Sequence, residues 1–168
     1  MKLTLLTIFL VSFFVSSSID TGVTITQLDK TIWTIYQDKK SNYWFGSKEN
    51  GVYFYNGQRL KHITTENGLV SNEIRGIQED ANGNIFFDSV KGVSKFDGRT
   101  FKTLQIANLE SPLNVWVLKP DDLWFRMGST KSGVYRFDGK YLHYLKFPTS
   151  PQENTFYKKY PNTNLKPY

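Results

Sequence analysis

The sequence predicts an all-β protein, a partial β-propeller of about three four-stranded antiparallel blades. The first observation is a repeat: Gly51, Gly92 and Gly133 recur at an interval of 41 residues, and propeller blades repeat every ~40 to 45 residues. The second is that each interval holds short apolar runs separated by turn residues such as Asn56-Gly57, as expected for short strands joined by tight hairpins.

Composition limits the classes of function. The chain has 168 residues, of which 39% are hydrophobic and 16% aromatic, enough to bury a core. It contains no cysteine, which excludes disulfides, thiolate metal ligands and cysteine nucleophiles. The net charge is +6, but the basic residues are scattered through the repeats. We therefore expect no nucleic-acid partner.

Residues 1–18 are predicted to be a signal peptide. Met1-Lys2 forms a short basic region, residues 3–15 are apolar, and residues 16–18 are three serines of the size that a signal peptidase accepts. The apolar run is shorter than the ~20 residues of a membrane span. We expect no membrane span, and secretion to the periplasm or the extracellular space.

The propeller is predicted to cover residues 19–147. The blades are expected at about 30–65, 72–105 and 114–146, followed by a loop or tail at 148–168 that leads toward a further blade. Alternating apolar and polar residues at Val23 to Thr26 predict a strand with one buried face. In a closed ring, such an N-terminal strand is expected to complete the last blade.

Each blade is divided into four strands by its turns. The predicted strands of the three blades are 32–36, 43–47, 51–55 and 59–63; then 74–78, 85–87, 92–96 and 101–104; then 115–118, 123–125, 133–137 and 141–145. Pro120 is expected to end the first strand of the third blade, because proline cannot donate to a β-ladder.

Two sets of aromatic residues recur at equivalent positions and are predicted to pack blade against blade. The first set lies in the second strands and the second set lies beside the last turns. They are Trp44, Phe86 and Trp124, and Tyr55, Phe96 and Phe137.

The motifs of the repeat point to a family. Residues 67–72, Asn-Gly-Leu-Val-Ser-Asn, precede residues 79–84, Glu-Asp-Ala-Asn-Gly-Asn, while residues 44–47 and 51–57 read Trp-Phe-Gly-Ser and Gly-Val-Tyr-Phe-Tyr-Asn-Gly. Together they resemble the two-component regulator propeller repeat.

This resemblance implies a function outside the cytoplasm. Such propellers form the extracytoplasmic halves of hybrid sensor kinases, where oligosaccharide sensing is one use, and they also occur in secreted proteins without a kinase. A closed ring needs ~4 to 8 blades. Either this sequence is a piece of a longer protein, which we favour, or several chains complete the ring.

Three residues at one repeat position are candidate ligand contacts. Trp33, Arg75 and Trp116 share the second position of each blade's first strand, which lies next to the central channel of a propeller. Indole rings and a guanidinium can stack on sugar rings and bind their hydroxyl or carboxylate groups. The alternative is that both tryptophans fill the core and Arg75 is merely solvated.

The connections between blades supply two more candidates. Residues 66–73 and 107–114 join one blade's outer strand to the next inner strand, and binding residues concentrate in such loops. Asn72 and Asn114 are the candidates. Asparagine is also an ordinary turn former, so a structural role is the alternative for both.

No motif indicates catalysis. His62 and His143 fall on outer strands of different blades, at positions of opposite orientation. The segment 80–84 faintly resembles a calcium loop, but a hairpin turn capped by Asp80 is the better interpretation. We therefore expect no enzyme activity, no cofactor and no metal.

The leading hypothesis is a secreted, non-catalytic propeller segment that acts as a ligand-binding or sensor module. Carbohydrate, as an oligosaccharide at the channel mouth, is the expected ligand. The alternative is an interaction or assembly module that completes a propeller with other blades or chains. A fragment of a propeller lyase or hydrolase is the third hypothesis.

Overall fold

Three antiparallel β-sheets form the described part of the chain. The structure is a computed structural model that describes residues 19–107, 119–128 and 133–147. Each sheet places its strands in chain order from the inner to the outer edge, apart from one added N-terminal strand. The all-β, partial propeller architecture is confirmed. The predicted signal peptide and the tail after residue 147 lie outside the described residues.

The first sheet has five strands in the order β1-β5-β4-β3-β2. These are β1 (Val23–Ile25), β2 (Ile32–Gln37), β3 (Tyr43–Ser47), β4 (Val52–Tyr55) and β5 (Leu60–Ile63). Strands β2 to β5 are the four that the sequence predicts for the first blade.

The second sheet holds four strands and the third holds three. They are β6 (Ile74–Glu79), β7 (Ile85–Ser89), β8 (Gly92–Phe96) and β9 (Phe101–Thr103), followed by β10 (Leu123–Phe125), β11 (Gly133–Phe137) and β12 (Leu142–Lys146). The strand predicted at 115–118 lies outside the described residues.

The sequence predicts that the N-terminal strand completes the last blade, but in the structure it does not. It pairs with the outer strand of the first blade, with Val23 opposite His62 and Ile25 opposite Leu60. Its predicted buried face is also absent, because Val23 is 65% exposed. The cause lies just upstream, where Ile19 is buried in the core between the first two blades and so anchors the segment there.

The turns between the first two strands of the blades are held by aspartate side chains. The Asp38 carboxylate accepts hydrogen bonds from the backbone N–H groups of Lys40 (3.0 Å) and Asn42 (2.8 Å). Its second oxygen accepts from the Trp44 indole at 2.9 Å. Asp80 repeats this arrangement with the backbone N–H groups of Asn82 and Asn84, both at 2.9 Å. The Asp-capped turn is confirmed.

Aromatic side chains join the first blade to the second. Trp44 is 1% exposed and its ring centroid lies 5.4 Å from that of Phe87 and 5.9 Å from that of Phe96. Both phenylalanines belong to the second blade. Because the Asp38 carboxylate satisfies the indole N–H, the whole ring is buried without an unpaired donor.

The second blade packs on the third by the same arrangement. Phe86, which is equivalent to Trp44, lies 5.9 Å from Phe125 and 5.4 Å from Phe137. Core positions are thus confirmed for Trp44, Phe86, Phe96 and Phe137. Trp124 is only half-buried.

Tyr55 departs from the prediction that it packs between blades, since 37% of it is exposed. It lies on the face of the first blade that points away from the second blade. No described sheet covers that face.

The second strand of the first blade, β3, closely approaches the inner strand of the second blade, β6, at Gly46. A Cβ atom at this position would lie 2.6 Å from side-chain carbons of both Ile74 and Thr34. Any larger residue would push β6 away from the first blade, so glycine sets the spacing between β3 and β6.

We predict that Trp44→Ala lowers the free energy of unfolding by about 3–5 kcal/mol, because it removes the ring that Phe87 and Phe96 pack against. Trp33→Ala is the matched control, since Trp33 is 54% exposed, and should cost less than about 1 kcal/mol. Urea unfolding of both variants checks this. Equal costs would show that Trp44 does not hold the blades together.

Candidate functional site

A β-bulge lies at the same place in the inner strands of the first two blades. In the first blade the pairing of β2 with β3 shifts between Ile32 and Thr34, and in the second that of β6 with β7 shifts between Ile74 and Gly76. The bulged residues are Trp33 and Arg75, two of the predicted ligand contacts. Bulges redirect side chains and are common next to functional sites.

Trp33 projects from the first blade into solvent. Trp33 is 54% exposed, and the Lys48 ammonium lies 5.7 Å from the centroid of its ring. The interpretation of Trp33 as a core residue is therefore wrong. An exposed indole beside a cation can stack on a planar or sugar ring.

Arg75 is held by an ion pair with Glu73, which lies just before β6. Its Nε and Nη2 atoms donate to the same Glu73 carboxylate oxygen at 3.0 and 2.9 Å. The side chains of both residues are about one third exposed. The guanidinium is thus oriented and still accessible, although exposed pairs of this kind contribute little to stability.

Asp88, near Arg75, was missed by the sequence analysis. It is 7% exposed. One carboxylate oxygen accepts from the Arg126 backbone N–H at 2.8 Å, while the other is buried without a hydrogen-bond partner. Burial raises the pKa of Asp88, and the Arg126 N–H and the Arg75 charge oppose that rise. The equivalent residue in the first blade is Gly46, so the repeat pattern did not point to this carboxylate.

The remaining predicted contacts are not brought to this place. Asn72 supports the connection between blades, because its side-chain oxygen accepts from the Thr65 N–H at 2.9 Å and its carbonyl from the Gly51 N–H at 2.8 Å. These contacts favour a structural role. Trp116 and Asn114 lie outside the described residues.

The first blade carries an exposed apolar surface. We call it the first-blade face: Val23, Trp33, Ile35, Tyr43 and Tyr55. Their exposures are 65, 54, 65, 39 and 37%. The strand pairings place Val23, Ile35, Tyr43 and Tyr55 on the side of the sheet that points away from the second blade. Trp33 lies beside them, at the bulge of β2.

The two histidines do not converge. His62 Nε2 lies 2.6 Å from the Asn50 carbonyl oxygen, and His143 Nε2 lies 2.6 Å from an Asp138 carboxylate oxygen. They occupy β5 and β12, in different sheets. Across residues 19–107, 119–128 and 133–147, no three His, Cys, Asp or Glu side chains are grouped so that they could hold a metal ion.

Within the described segments, no helix is long and apolar enough to cross a bilayer. The one helix there is a single 3-10 turn, Thr65–Asn67.

Comparison with known proteins supports the repeat. The sequence model of a family described as "Two component regulator propeller" matches residues 26–49. Residues 26–49 thus carry a two-component regulator propeller repeat. The match spans the first two inner strands of the first blade, including the bulge at Trp33 and the turn at Asp38. A search of curated proteins gives no match to this chain.

We predict that Asp88→Asn changes the pH dependence of stability. Because the folded-state pKa is raised, the native protein binds more protons than the unfolded chain above about pH 3.9, and stability falls as pH rises through that window. The variant should lose this fall. Relative to wild type, it should therefore be more stable at about pH 7 than at about pH 4.

Asp97→Asn provides a control of opposite sign. The Thr100 and Arg99 backbone N–H groups lower the pKa of Asp97, so its contribution is present at neutral pH and is lost as the solution is acidified. Urea unfolding across this pH range measures both. A wild-type profile for Asp88→Asn would show that this carboxylate has an ordinary pKa.

Proposed function

We propose that this chain is a non-catalytic binding module that recognises a further propeller blade through the first-blade face. The observation that carries the proposal is that residues of this face are exposed although their repeat equivalents in the second blade are buried. Ile35 is 65% exposed, whereas its repeat equivalent Ile77 is 7% exposed. Tyr55 is 37% exposed, whereas its equivalent Phe96 is 1% exposed.

The repeat indicates what the partner surface contains. In both described blade junctions, one aromatic ring of a second strand contacts two aromatic residues of the next blade: Trp44 contacts Phe87 and Phe96, and Phe86 contacts Phe125 and Phe137. The equivalent pair on the first blade is Phe45 and Tyr55. A blade with an aromatic ring at the Trp44 position would fit this pair, and contiguous exposed apolar surface of this kind marks interaction sites.

Solution molar mass tests this proposal. We expect the purified chain to form a complex larger than one chain as its concentration rises. Ile35→Lys should weaken this association about tenfold, because it places a charge in an apolar interface. Ile106→Lys is the matched control, since Ile106 is 52% exposed but lies outside the first-blade face, and it should associate like wild type.

Light scattering at a series of concentrations gives the result. A chain that stays monomeric, or equal weakening by both lysine variants, would contradict the role of the first-blade face. Urea unfolding of both variants checks that neither substitution has simply unfolded the blade.

A second candidate function is carbohydrate binding at the inner edge, as in a sensor module. The repeated bulge favours it, because it presents Trp33 and Arg75 at equivalent positions of neighbouring inner strands. Trp33 would stack on a sugar ring, and Arg75 would bind a hydroxyl or carboxylate group. Secretion to the periplasm or the cell exterior fits both candidates and belongs to the same proposal.

We predict that uronic or neutral oligosaccharides change the tryptophan fluorescence of the chain in a saturable way. Arg75→Ala should weaken the binding of uronic oligosaccharides by about five- to tenfold or more, since it removes a charge-assisted contact. Lys95→Ala serves as the control cation, because Lys95 lies on β8, away from the inner edge. An unchanged signal with both classes of glycan would exclude this candidate.

A further inference from the structure

A cleft between the first and second blades holds the N-terminal segment of the chain. Its lining includes Ile19 together with Lys40, Ile85, Phe96 and Gly98. Ile19 is 8% exposed and acts as an apolar anchor there. The volume that remains is about 70 Å³.

Beyond this anchor the segment continues as an added strand. Thr21 Oγ1 donates to the Arg99 carbonyl oxygen at 3.2 Å, in the last turn of the second blade. Gly22 then turns with a φ of 93°, and β1 pairs with the outer edge of β5. One extended segment thus uses an apolar anchor, a hydroxyl contact and a strand edge.

An equivalent cleft lies between the second and third blades and is larger. It has a volume of about 300 Å³. The correspondence follows the repeat, since Asn82, Leu123, Phe137 and Gly139 line it at the positions that Lys40, Ile85, Phe96 and Gly98 occupy in the first cleft. Among the residues that the structure describes, none of those that line it corresponds to Ile19.

The matching strand edge is also open among the described residues. Strand β9 ends the second sheet, with no strand on its outer side. Lys102 and Thr103 are exposed. The Leu104 N–H points inward to the Val93 carbonyl oxygen, so the Thr103 N–H points outward, because donors alternate along a strand.

The charge of the second cleft differs from that of the first. Four aspartates and two cations line it: Asp80, Asp121, Asp122, Asp138, Lys119 and Arg136. The charged residues that line the first cleft are Asp38, Glu79 and Lys40. The second cleft is therefore the more acidic, and it favours a basic residue beside the apolar anchor.

We propose that the second cleft and the β9 edge form a binding site for an extended peptide of a partner protein. The peptide has an apolar anchor, a basic residue next to it, and a short strand that pairs with β9. This is strand addition, in which main-chain hydrogen bonds give affinity and a side-chain pocket gives specificity. The site is separate from the first-blade face.

The test uses the full chain and two labelled peptides. One is Ile-Asp-Thr-Gly-Val-Thr-Ile, which copies residues 19–25, and the other is Ile-Lys-Thr-Gly-Val-Thr-Ile. Fluorescence anisotropy should show saturable binding of one peptide per chain. The lysine peptide should bind about threefold more tightly at low salt, because the cleft is acidic.

Substitutions locate the binding. Asn82→Trp fills the second cleft and Thr103→Pro removes the outward N–H of β9, which edge strands tolerate; each should weaken the lysine peptide about tenfold. Lys40→Trp places the same bulk at the equivalent position of the first cleft and should leave the affinity for the lysine peptide unchanged. Urea unfolding confirms that all three variants fold.

Any of the following results would overturn the proposal. Absence of binding, or binding that neither Asn82→Trp nor Thr103→Pro weakens, would show that the second cleft is not a peptide site. Weakening by Lys40→Trp alone would mean that the peptide displaces the chain's own segment. Self-association that is lost in Asn82→Trp but kept in Ile35→Lys would identify a second copy of this chain, rather than a partner protein, as the occupant.

Discussion

The packing of one aromatic ring against two aromatic residues of the next blade is the interaction on which the rest of the structure depends. Trp44 and Phe86 occupy the same repeat position and are almost fully buried. Each contact between rings is worth only about 0.5–1.5 kcal/mol beyond the area that it buries. Its importance is geometric, because it sets how each sheet lies on the next and therefore which strand edges and clefts are open.

This constraint explains why the exposed apolar face lies on the first blade of the described series. Where a neighbouring blade is present, the apolar face is covered, and β6 lies close to Gly46 of β3. Where none is described, the equivalent residues are exposed on the first-blade face. The N-terminal segment occupies one cleft between blades and leaves the next one open, so similar blades present different surfaces.

The sequence predicted the fold well because a blade is a local unit. The turn residues and the alternation of apolar and polar residues in the strands are visible within one repeat of 41 residues. The Asn-Gly and Asp-capped turns depend only on neighbouring residues. The partner of β1 was predicted wrongly, because strand alternation cannot show which edge a strand joins. That choice depends on Ile19, which packs between two blades far from it in sequence.

The candidate sites were predictable only in part, since exposure depends on which blade faces are covered. Trp33 and Arg75 were found by their shared repeat position, but the bulge that turns them outward has no clear sequence signal. Asp88 was not found, because its repeat equivalents are Gly46 and Arg126. A buried carboxylate that replaces glycine is visible only once the sheets are packed together.

Hydroxyl-radical footprinting of the native chain tests the central claim most directly, because aromatic side chains report their own exposure. If the first-blade face receives another blade, Trp33, Tyr43 and Tyr55 should lose reactivity together when the complex forms, while Ile106 keeps its reactivity. Continued reactivity of all three aromatic residues in a complex of proven mass would contradict the account, because the interface would then lie elsewhere on the molecule.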